Sequence, residues 1–383
     1  MKKVFRKIRV LMILPTFNLC GGIENFLMSY YRQLKDKVDF DIITHEMNET
    51  NYKEEVEKNG DHVYCLPKYC LSNIVKVHNN IKEFFKEHHD YDIIHCNMVN
   101  AAYIYLKEAK KYGIKCRIMH SHQNKYSDKL SHSLRNMPLV AIGKRYTNGR
   151  IACSYEAGKF LFKNKEFTII RNAIDSKKFT FNNNIRIEIR ERLGLKDEFV
   201  IGSIGRFMPA KNQSFLIDVF NELQKKETNS KLILIGDGEL KEKLVNKSKR
   251  NKSGNNIFFI GTNDIIYKYL QAFDVFVLPS LYEGLGIVNV EAQTAGLHTI
   301  VSTNIPKEAE INRELIHFIP LEKGPEYWAN YILKFKNYKR TEQLEEVVKH
   351  GYDIHSSAND LYEFYKEMIR EEENKWLHIL VCC

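Results

Sequence analysis

The chain has 383 residues, of which 44% are hydrophobic and 28% charged, so it is expected to be globular with two domains, neither disordered nor fibrous. No apolar run reaches the ~18 residues of a membrane span, and the start is interpreted as a strand rather than a secretion signal. We therefore expect a cytoplasmic protein. The net charge of +10 favours anionic partners. A nucleotide or an acidic membrane surface fits better than nucleic acid, because no RNA-binding motif accompanies the scattered basic residues.

The eight cysteines form no C-x-x-C pair. This pattern is typical of buried thiols in a reducing compartment rather than of a metal site. The terminal pair, Cys382-Cys383, lacks the lipid-anchor signals that can be read from sequence, and we expect it to be a frayed end.

Short apolar runs alternate with helical patterns through the first half of the chain. Ile23, Phe26, Leu27, Tyr30 and Leu34 share one face of the first helical pattern. Such alternation predicts a parallel sheet covered by helices. The predicted strands lie at 8–14, 38–43, 62–66, 91–96, 115–119, 149–153 and 167–170.

A polar stretch, 175–198, contains an Asn-Asn-Asn triplet and is predicted to be a linker. The alternation then restarts, and residues from about 355 to 376 form a last helical pattern. We therefore predict an α/β protein with two Rossmann-like doubly wound domains facing across a cleft, at 1–180 and 181–354, with the last helix packing back on the first. The strands predicted in the second domain lie at 199–204, 231–236, 256–261, 274–280, 298–303 and 315–319.

Ligands of open parallel sheets bind at the carboxyl ends of the strands, so the residues after each apolar run are the candidates for function. After the first run, Gly21 and Gly22 open a helix, where a backbone can approach an anion. After the fifth run come His120 and His122, and we predict that these two side chains point to opposite faces. A metal ion shared by these two histidines is therefore not expected.

In the second half, Arg206 and Lys211 follow the first strand and precede a helix. Two cations beside a helix N-terminus form a favourable diphosphate site. The turn Gly236, Asp237 and Gly238 follows the next strand and could let a planar base lie against the backbone.

The stretch "SLYEGLGIVNVEAQTAG" joins a buried strand to an apolar helix. Glu283 stands before a glycine-containing loop whose amides, those of Gly284, Leu285, Gly286 and Ile287, could face a ligand. Glu291 lies about a turn and a half into the helix. A carboxylate can accept two hydrogen bonds from neighbouring hydroxyls, which is how a ribose or hexose diol is held.

The segments "GGIEN", "HSHQN", "GRFMPAKN", "GDGE" and "EGLGIVNVEA" together resemble retaining glycosyltransferases of family 4, which have the GT-B fold. The resemblance covers nearly the whole chain and is most specific at the Glu283 and Glu291 pair. It is greatest to bacterial capsule and exopolysaccharide transferases. One departure is Ala173, where many relatives carry glycine, which puts close approach of that turn to a ligand in doubt.

The resemblance implies a role for each candidate. Arg206 and Lys211 would hold the donor diphosphate, and Glu291 the ribose. Glu283 and the amides after it would hold the donor sugar. His122, in preference to His120, would lie near the reacting face of the sugar. Gly21 and Gly22 would let the first domain approach the phosphates.

The predicted reaction is transfer of a sugar from a nucleotide diphosphate sugar, a UDP-sugar in the favoured interpretation, to a growing glycan or a lipid-linked acceptor in surface polysaccharide synthesis. The basic chain would then contact the inner face of the membrane peripherally. Two alternatives remain open, namely a nucleotide-sugar epimerase and a catalytically silent partner subunit.

No cofactor and no metal is expected for this reaction. Two Asp-x-Asp sequences, 39–41 and 90–92, have the spacing by which other transferases hold a metal ion. Each starts an apolar run and should lie at the edge of the sheet away from the ligand.

Overall fold

The computed structural model describes residues 6–19, 22–68, 71–123, 130–250, 253–261 and 265–382, without the side chains of 71, 130–132 and 376–382. Gly21 of the predicted site lies outside the described residues. The chain divides into two compact units, Met1–Ala173 with Ile354–Cys383, and Ile174–Asp353. The second unit begins before residue 181 because Ile174 pairs with Asp353 in a parallel bridge, and the Ser176 hydroxyl donates to the Asp353 carboxylate at 2.5 Å.

The first unit contains a seven-stranded parallel sheet with the order β3-β2-β1-β4-β5-β6-β7. Residues alternate between the two faces of the sheet. Val10 and Met12 of β1 enter one hydrophobic cluster, whereas Leu11 and Ile13 enter another on the opposite face. The strands are β1 Ile8–Ile13, β2 Val38–Thr44, β3 Val63–Cys65, β4 Ile93–Cys96, β5 Cys116–Ser121, β6 Gly149–Ala152 and β7 Thr168–Ile169.

In the described part of this unit, six α-helices connect the strands. The apolar face predicted for the first one is observed, since Phe26, Leu27, Tyr30 and Leu34 are buried and Ile23 packs against the same cluster. The helices are α1 Gly22–Leu34, α2 Lys53–Glu57, α3 Ile74–Glu87, α4 Ala102–Lys111, α5 Leu130–Gly143 and α6 Tyr155–Phe162.

The second unit repeats the architecture with a six-stranded parallel sheet of order β10-β9-β8-β11-β12-β13. Both faces of this sheet are also covered by apolar clusters. The two units thus confirm the predicted class of two Rossmann-like domains. The strands are β8 Phe199–Ile204, β9 Ser230–Ile235, β10 Ile257–Ile260, β11 Val275–Leu278, β12 His298–Ser302 and β13 Ile316–Ile319. The helices are α7 Ser176–Phe179, α8 Asn183–Arg192, α9 Gln213–Gln224, α10 Lys241–Lys249, α11 Ile266–Ala272, α12 Ile287–Thr294, α13 Gly324–Leu333 and α14 Leu344–Lys349.

The last helix, α15 (Ile354–Cys382), belongs to the first unit. It packs against α1, and Leu361, Tyr365 and Met368 are buried in a cluster on the first sheet. A Cβ atom at Gly149 of β6 would lie 2.6 Å from the Met368 sulfur, so glycine there lets the helix lie close to the sheet.

The prediction of a linker at 175–198 is wrong. Asn182 caps α8 by accepting from the backbone amides of Asn184 and Ile185, and Ile189 is fully buried. Arg186 and Arg190 donate to the carbonyls of buried residues at the end of α11 and pair with Asp274. These arginines stabilise the C-terminus of α11, so the polar stretch is a structural part of the second unit.

Two further sequence predictions concern cysteines and membrane spans. Cys96, Cys116 and Cys153 are buried, whereas Cys65 is exposed because it ends the short edge strand β3. The side chains of the other four cysteines lie outside the described part of the chain. None of the helices in the described ranges is both long enough and apolar enough to cross a bilayer.

Candidate active site

Each sheet reverses its strand order next to its first strand, between β1 and β4 and between β8 and β11. In open parallel sheets the crevice outside this reversal is the usual ligand site. In the second unit the loops there carry Arg206 and Lys211 after β8, and Glu283 after β11. The predicted donor residues of that unit are therefore collected at one edge of one sheet.

The loop after β8 is held against the loop after β11. A short 3₁₀ helix, Pro209–Lys211, ends at Asn212, which adopts the left-handed conformation with φ of 54°. The Asn212 amide donates to the Pro279 carbonyl at 3.2 Å, and the Leu281 amide donates to the Ala210 carbonyl at 2.7 Å. These bonds fix the position of Lys211 relative to the Glu283 loop.

Lys211 and Glu283 form an ion pair. The Lys211 ammonium donates to Glu283 Oε1 at 2.6 Å, and the Ser280 hydroxyl donates to the same oxygen at 2.8 Å. The Glu283 side chain is only 9% exposed, and Ser280 is fully buried. The carboxylate is therefore positioned by two donors, and sequence reasoning missed the second, Ser280, which lies two residues after the end of β11.

Arg206 differs from Lys211 in its surroundings. Its side chain is exposed at the carboxyl edge, and within the described ranges it forms no ion pair. A guanidinium in this position can form paired hydrogen bonds with phosphate oxygens.

Three glycines of the predicted donor site are required for different structural reasons. Gly286 caps α12 with φ of +70°, and a Cβ atom there would lie 2.6 Å from Asn289 Nδ2. Gly236 and Gly238 pack against the carbonyl oxygens of Gly205 and Phe207, so the loops after β8 and β9 need them for close contact. Asp237 pairs with Lys241 at 2.7 Å.

Glu291 lies five residues into α12, and Leu285 and Ile287 before it are partly buried. Burial raises the pKa of Glu291 to about 7. Asn289, on the same helix, is fully buried, and neither its amide oxygen nor its nitrogen has a partner within the described ranges. Asn289 is a second polar residue of this segment that sequence reasoning missed. The feature of the sequence that could have identified Asn289 is its position on the apolar face of a helix.

The candidate residues of the first unit are Gly22 and the histidines after β5. Gly22 begins α1, and a Cβ atom there would meet no atom within 4 Å, so the helix does not need glycine for steric reasons. Glu24 in the first turn is buried and accepts a hydrogen bond from Thr16. Ala173 is buried in the core of this unit.

The prediction that His120 and His122 point to opposite faces is wrong. Residues two apart in an extended segment lie on the same face, and the two ring centroids lie 3.9 Å apart. Phe26 of α1 packs its ring against both.

A chain of hydrogen bonds runs from α15 to His120. The Tyr365 hydroxyl lies 2.7 Å from His95 Nδ1, and His95 Nε2 lies 3.0 Å from His120 Nδ1. His122 Nε2 lies 2.8 Å from the Asn97 oxygen. Burial lowers the pKa of His95 and of His122 to about 3, so these rings are neutral at physiological pH.

A cavity of about 180 Å³ opens beside His122. It is lined by uncharged residues from the loops after β1, β4 and β5 and from α5 and α6, including Pro15, Asn97, Ser121, His122, Asn136 and Leu161. Asn97 and Asn136 give it hydrogen-bonding groups among apolar walls, a combination that suits a neutral hydroxylated ligand.

The Asp-x-Asp sequences lie at the other edge of the first sheet. Asp39 is near the start of β2 and Asp41 is in its middle, and Asp90 and Asp92 precede β4. Each pairs with a basic residue before or within β1, as in the Arg6–Asp92 contact of 2.8 Å and the Lys7–Asp39 contact of 3.1 Å. Within the described ranges, no group of three His, Cys, Asp or Glu side chains could hold a metal ion.

The comparisons with known proteins agree with this arrangement at the level of class. Residues 185–353 match the family described as glycosyl transferases group 1. The chain is 28% identical over 379 residues to the putative glycosyltransferase EpsF of Bacillus subtilis (strain 168), with 96% of the chain and 98% of the relative covered.

Two further similarities extend over nearly the full length. A UDP-Gal:alpha-D-GlcNAc-diphosphoundecaprenol alpha-1,3-galactosyltransferase of Escherichia coli is 23% identical, with 96% of this chain and 99% of the relative covered. The crystal structure of Anabaena Alr3699/HepE in complex with UDP-glucose has a TM-score of 0.70 at 17% identity, covering 96% of this chain and 100% of that one. The fold is thus GT-B, and the chain is a glycosyltransferase.

Proposed function

We propose that the protein is a retaining glycosyltransferase, similar to family 4, that moves a sugar from a UDP-sugar to a hydroxyl of a growing or lipid-linked glycan in surface polysaccharide synthesis. The observation that carries the proposal is the convergence of Arg206, Lys211 and Glu283 at the carboxyl edge of the second sheet. The complex of HepE with UDP-glucose and the UDP-galactose donor of the Escherichia coli relative support the choice of donor.

Breaking the bond between sugar and diphosphate leaves negative charge on the bridging oxygen and positive charge at the anomeric carbon. Arg206 and Lys211 stabilise the first charge electrostatically, and fixed cations are effective because they need no reorganisation during the reaction. Since two cations are already present, we propose that the reaction needs no divalent metal.

Glu283 positions the donor sugar. Its Oε1 is occupied by Lys211 and Ser280, which leaves Oε2 for hydroxyls of the sugar. Binding of a diphosphate by Lys211 would compete with the ion pair, so the donor exchanges one anionic partner of the lysine for another. We assign Glu291 to the ribose and His122, with its neutral ring, to the acceptor side and the reacting face of the sugar.

A panel of UDP- and GDP-sugars tests the proposal through the shift in melting temperature, followed by product analysis with the best ligand. The expected result is stabilisation by UDP-sugars and release of UDP only when a glycan acceptor is present. Conversion of the donor sugar without acceptor would identify an epimerase, and binding without any turnover would identify a silent partner subunit.

A further inference from the structure

Helix α5 (Leu130–Gly143) has two faces of different character. Asn136, Val140 and Gly143 form its buried face, with the i, i+4, i+7 spacing of one helical side. A Cβ atom at Gly143 would lie 3.0 Å from the Tyr103 amide nitrogen and 3.1 Å from the Ala102 Cβ, so the helix lies closely on α4.

The opposite face of α5 is apolar and exposed. Leu134 is 62% exposed, Met137 49% and Ile142 40%. Pro138 and Ala141 are exposed between them, which gives the spacing i, i+3, i+4, i+7, i+8. We call these five residues the outer face of α5. A contiguous apolar surface of this kind commonly marks an interaction site.

The outer face of α5 is bordered by positive charge. Residues 133–146 contain three basic residues, Arg135, Lys144 and Arg145, and no acidic residue. Burial and the nearby charge of Lys163 lower the pKa of Lys144. Lys163 is therefore a fourth basic residue close to this end of the helix. An apolar helix face with a basic border fits the surface of a membrane that contains anionic lipid.

Charge also decides against a second copy of the chain as the occupant. Pairing two outer faces would bring the basic borders of two chains together, each chain with a net charge of +10. Such like-charge contacts are unfavourable, whereas anionic headgroups neutralise them.

We propose that the outer face of α5 docks on anionic lipid, with Leu134, Met137 and Ile142 inserted among the headgroups. The buried face of the same helix contributes Asn136 to the cavity beside His122. Docking would therefore hold that cavity close to the lipid surface. This consequence rests on the proposed function, in which the acceptor is lipid-linked, but the docking itself does not.

Sedimentation of the full chain with lipid vesicles tests the proposal. We expect binding to phosphatidylcholine vesicles that contain about a quarter phosphatidylglycerol, and at least tenfold weaker binding to pure phosphatidylcholine, because each basic residue near an anionic surface adds about 1 kcal/mol. The double variant Leu134→Glu/Met137→Glu should lose about tenfold or more of the binding to the anionic vesicles.

The matched control is Ile187→Glu/Val348→Glu, which adds the same two charges at helical positions of the second unit that are 49% and 43% exposed. It should bind vesicles like the unchanged chain. Equal losses in both double variants, or no binding of the unchanged chain to anionic vesicles, would overturn the proposal. Melting temperatures establish that both variants are folded.

A second readout locates the contact. In Met137→Trp, tryptophan emission should shift to shorter wavelength when anionic vesicles are added, and in Ile187→Trp it should not. If light scattering instead shows that Leu134→Glu/Met137→Glu converts a dimer into a monomer while vesicle binding is unchanged, the outer face is a contact between copies and the proposal is wrong. Vesicle binding needs neither donor nor acceptor, so its failure would leave the proposed transfer reaction untouched.

Discussion

Lys211 donates a hydrogen bond to Glu283 at 2.6 Å and thereby joins the loops after two neighbouring strands, β8 and β11. The pair links the proposed diphosphate site to the proposed sugar site. A change at either residue should therefore affect both, but to different extents for binding and for turnover.

We expect Glu283→Gln to reduce kcat about a hundredfold, the scale of losing one preorganised polar group at a reacting centre, and to change the affinity for UDP by less than about threefold. UDP lacks the sugar that Glu283 is proposed to hold. Calorimetric titration of UDP together with initial rates measures both quantities. Ser280→Ala should show the same pattern more weakly, and a loss of UDP affinity as large as the loss of kcat would refute the assignment.

Glu291 predicts a pH dependence of donor binding. Burial raises its pKa to about 7, and ribose hydroxyls donate to the ionised form, so affinity should rise as the pH rises through 7. Between pH 6 and 8 the ionised fraction, and with it the affinity for a UDP-sugar, should increase about tenfold. A UDP-sugar is preferable to UDP because it has no terminal phosphate that titrates in this range.

The matched variant for this measurement is Glu291→Gln, in which the dependence should disappear. If the affinity of Glu291→Gln for the UDP-sugar still rose with pH, another group would be responsible for the pH dependence.

Gly286 and Gly284 differ in whether the loop conformation requires glycine. Gly286→Ala places a Cβ atom at a residue with φ of +70° and 2.6 Å from Asn289 Nδ2, so we expect a loss of about 1–3 kcal/mol in the free energy of unfolding of the second unit. Gly284→Ala, where no atom lies within 4 Å of the added carbon, should change it by less than about 0.5 kcal/mol. Denaturant unfolding compares the two, and equal effects would contradict the assigned loop conformation.

Tyr365 connects α15 to the buried histidines. Tyr365→Phe leaves His95 Nδ1 without its partner at 2.7 Å and should cost about 1–3 kcal/mol in the stability of the first unit. Tyr362→Phe, on the same helix but only partly buried, is the control and should be nearly neutral. Thermal unfolding measures both, and indistinguishable transitions would mean that the hydrogen bond contributes nothing.

The buried histidines also predict acid sensitivity. Burial lowers the pKa of His95 and His122 to about 3 and that of His298 and His317 to about 4. The unfolded chain binds protons at these residues below a pH of about 6.5, while the folded chain does not, so stability should fall as the pH falls from 6.5 towards 4. Melting temperatures between pH 7.5 and 5 test this, and a constant value would contradict it.

The architecture could be predicted from the sequence because each apolar run is short, is followed by a helical pattern and alternates across the sheet. Val10 and Leu11 already lie on opposite faces in such a pattern. The grouping of Arg206 and Lys211 with Glu283 also followed from the rule that parallel strands end at one edge.

Details that depend on tertiary contacts could not be predicted. The hydrogen bonds that join His120 to His95 and His122 to Asn97 link residues 25 apart in the sequence, which no local pattern encodes. The Asn-Asn-Asn triplet predicts a linker, but Asn182 caps α8, and the carbonyls at the end of α11 accept hydrogen bonds from Arg186 and Arg190. The role of Ser280 likewise appears only once the Glu283 side chain turns back on its strand.

In the proposed reaction, the carboxyl edge of the second sheet binds the diphosphate of the donor through Arg206 and Lys211. Calorimetric titration of UDP into Arg206→Ala tests it most directly, with Arg250→Ala as the control for loss of one exposed positive charge in the same unit. We expect at least a tenfold loss of affinity in Arg206→Ala, the scale of a charged hydrogen bond, and no change in Arg250→Ala. Unchanged affinity in Arg206→Ala, or an equal loss in both variants, would contradict it.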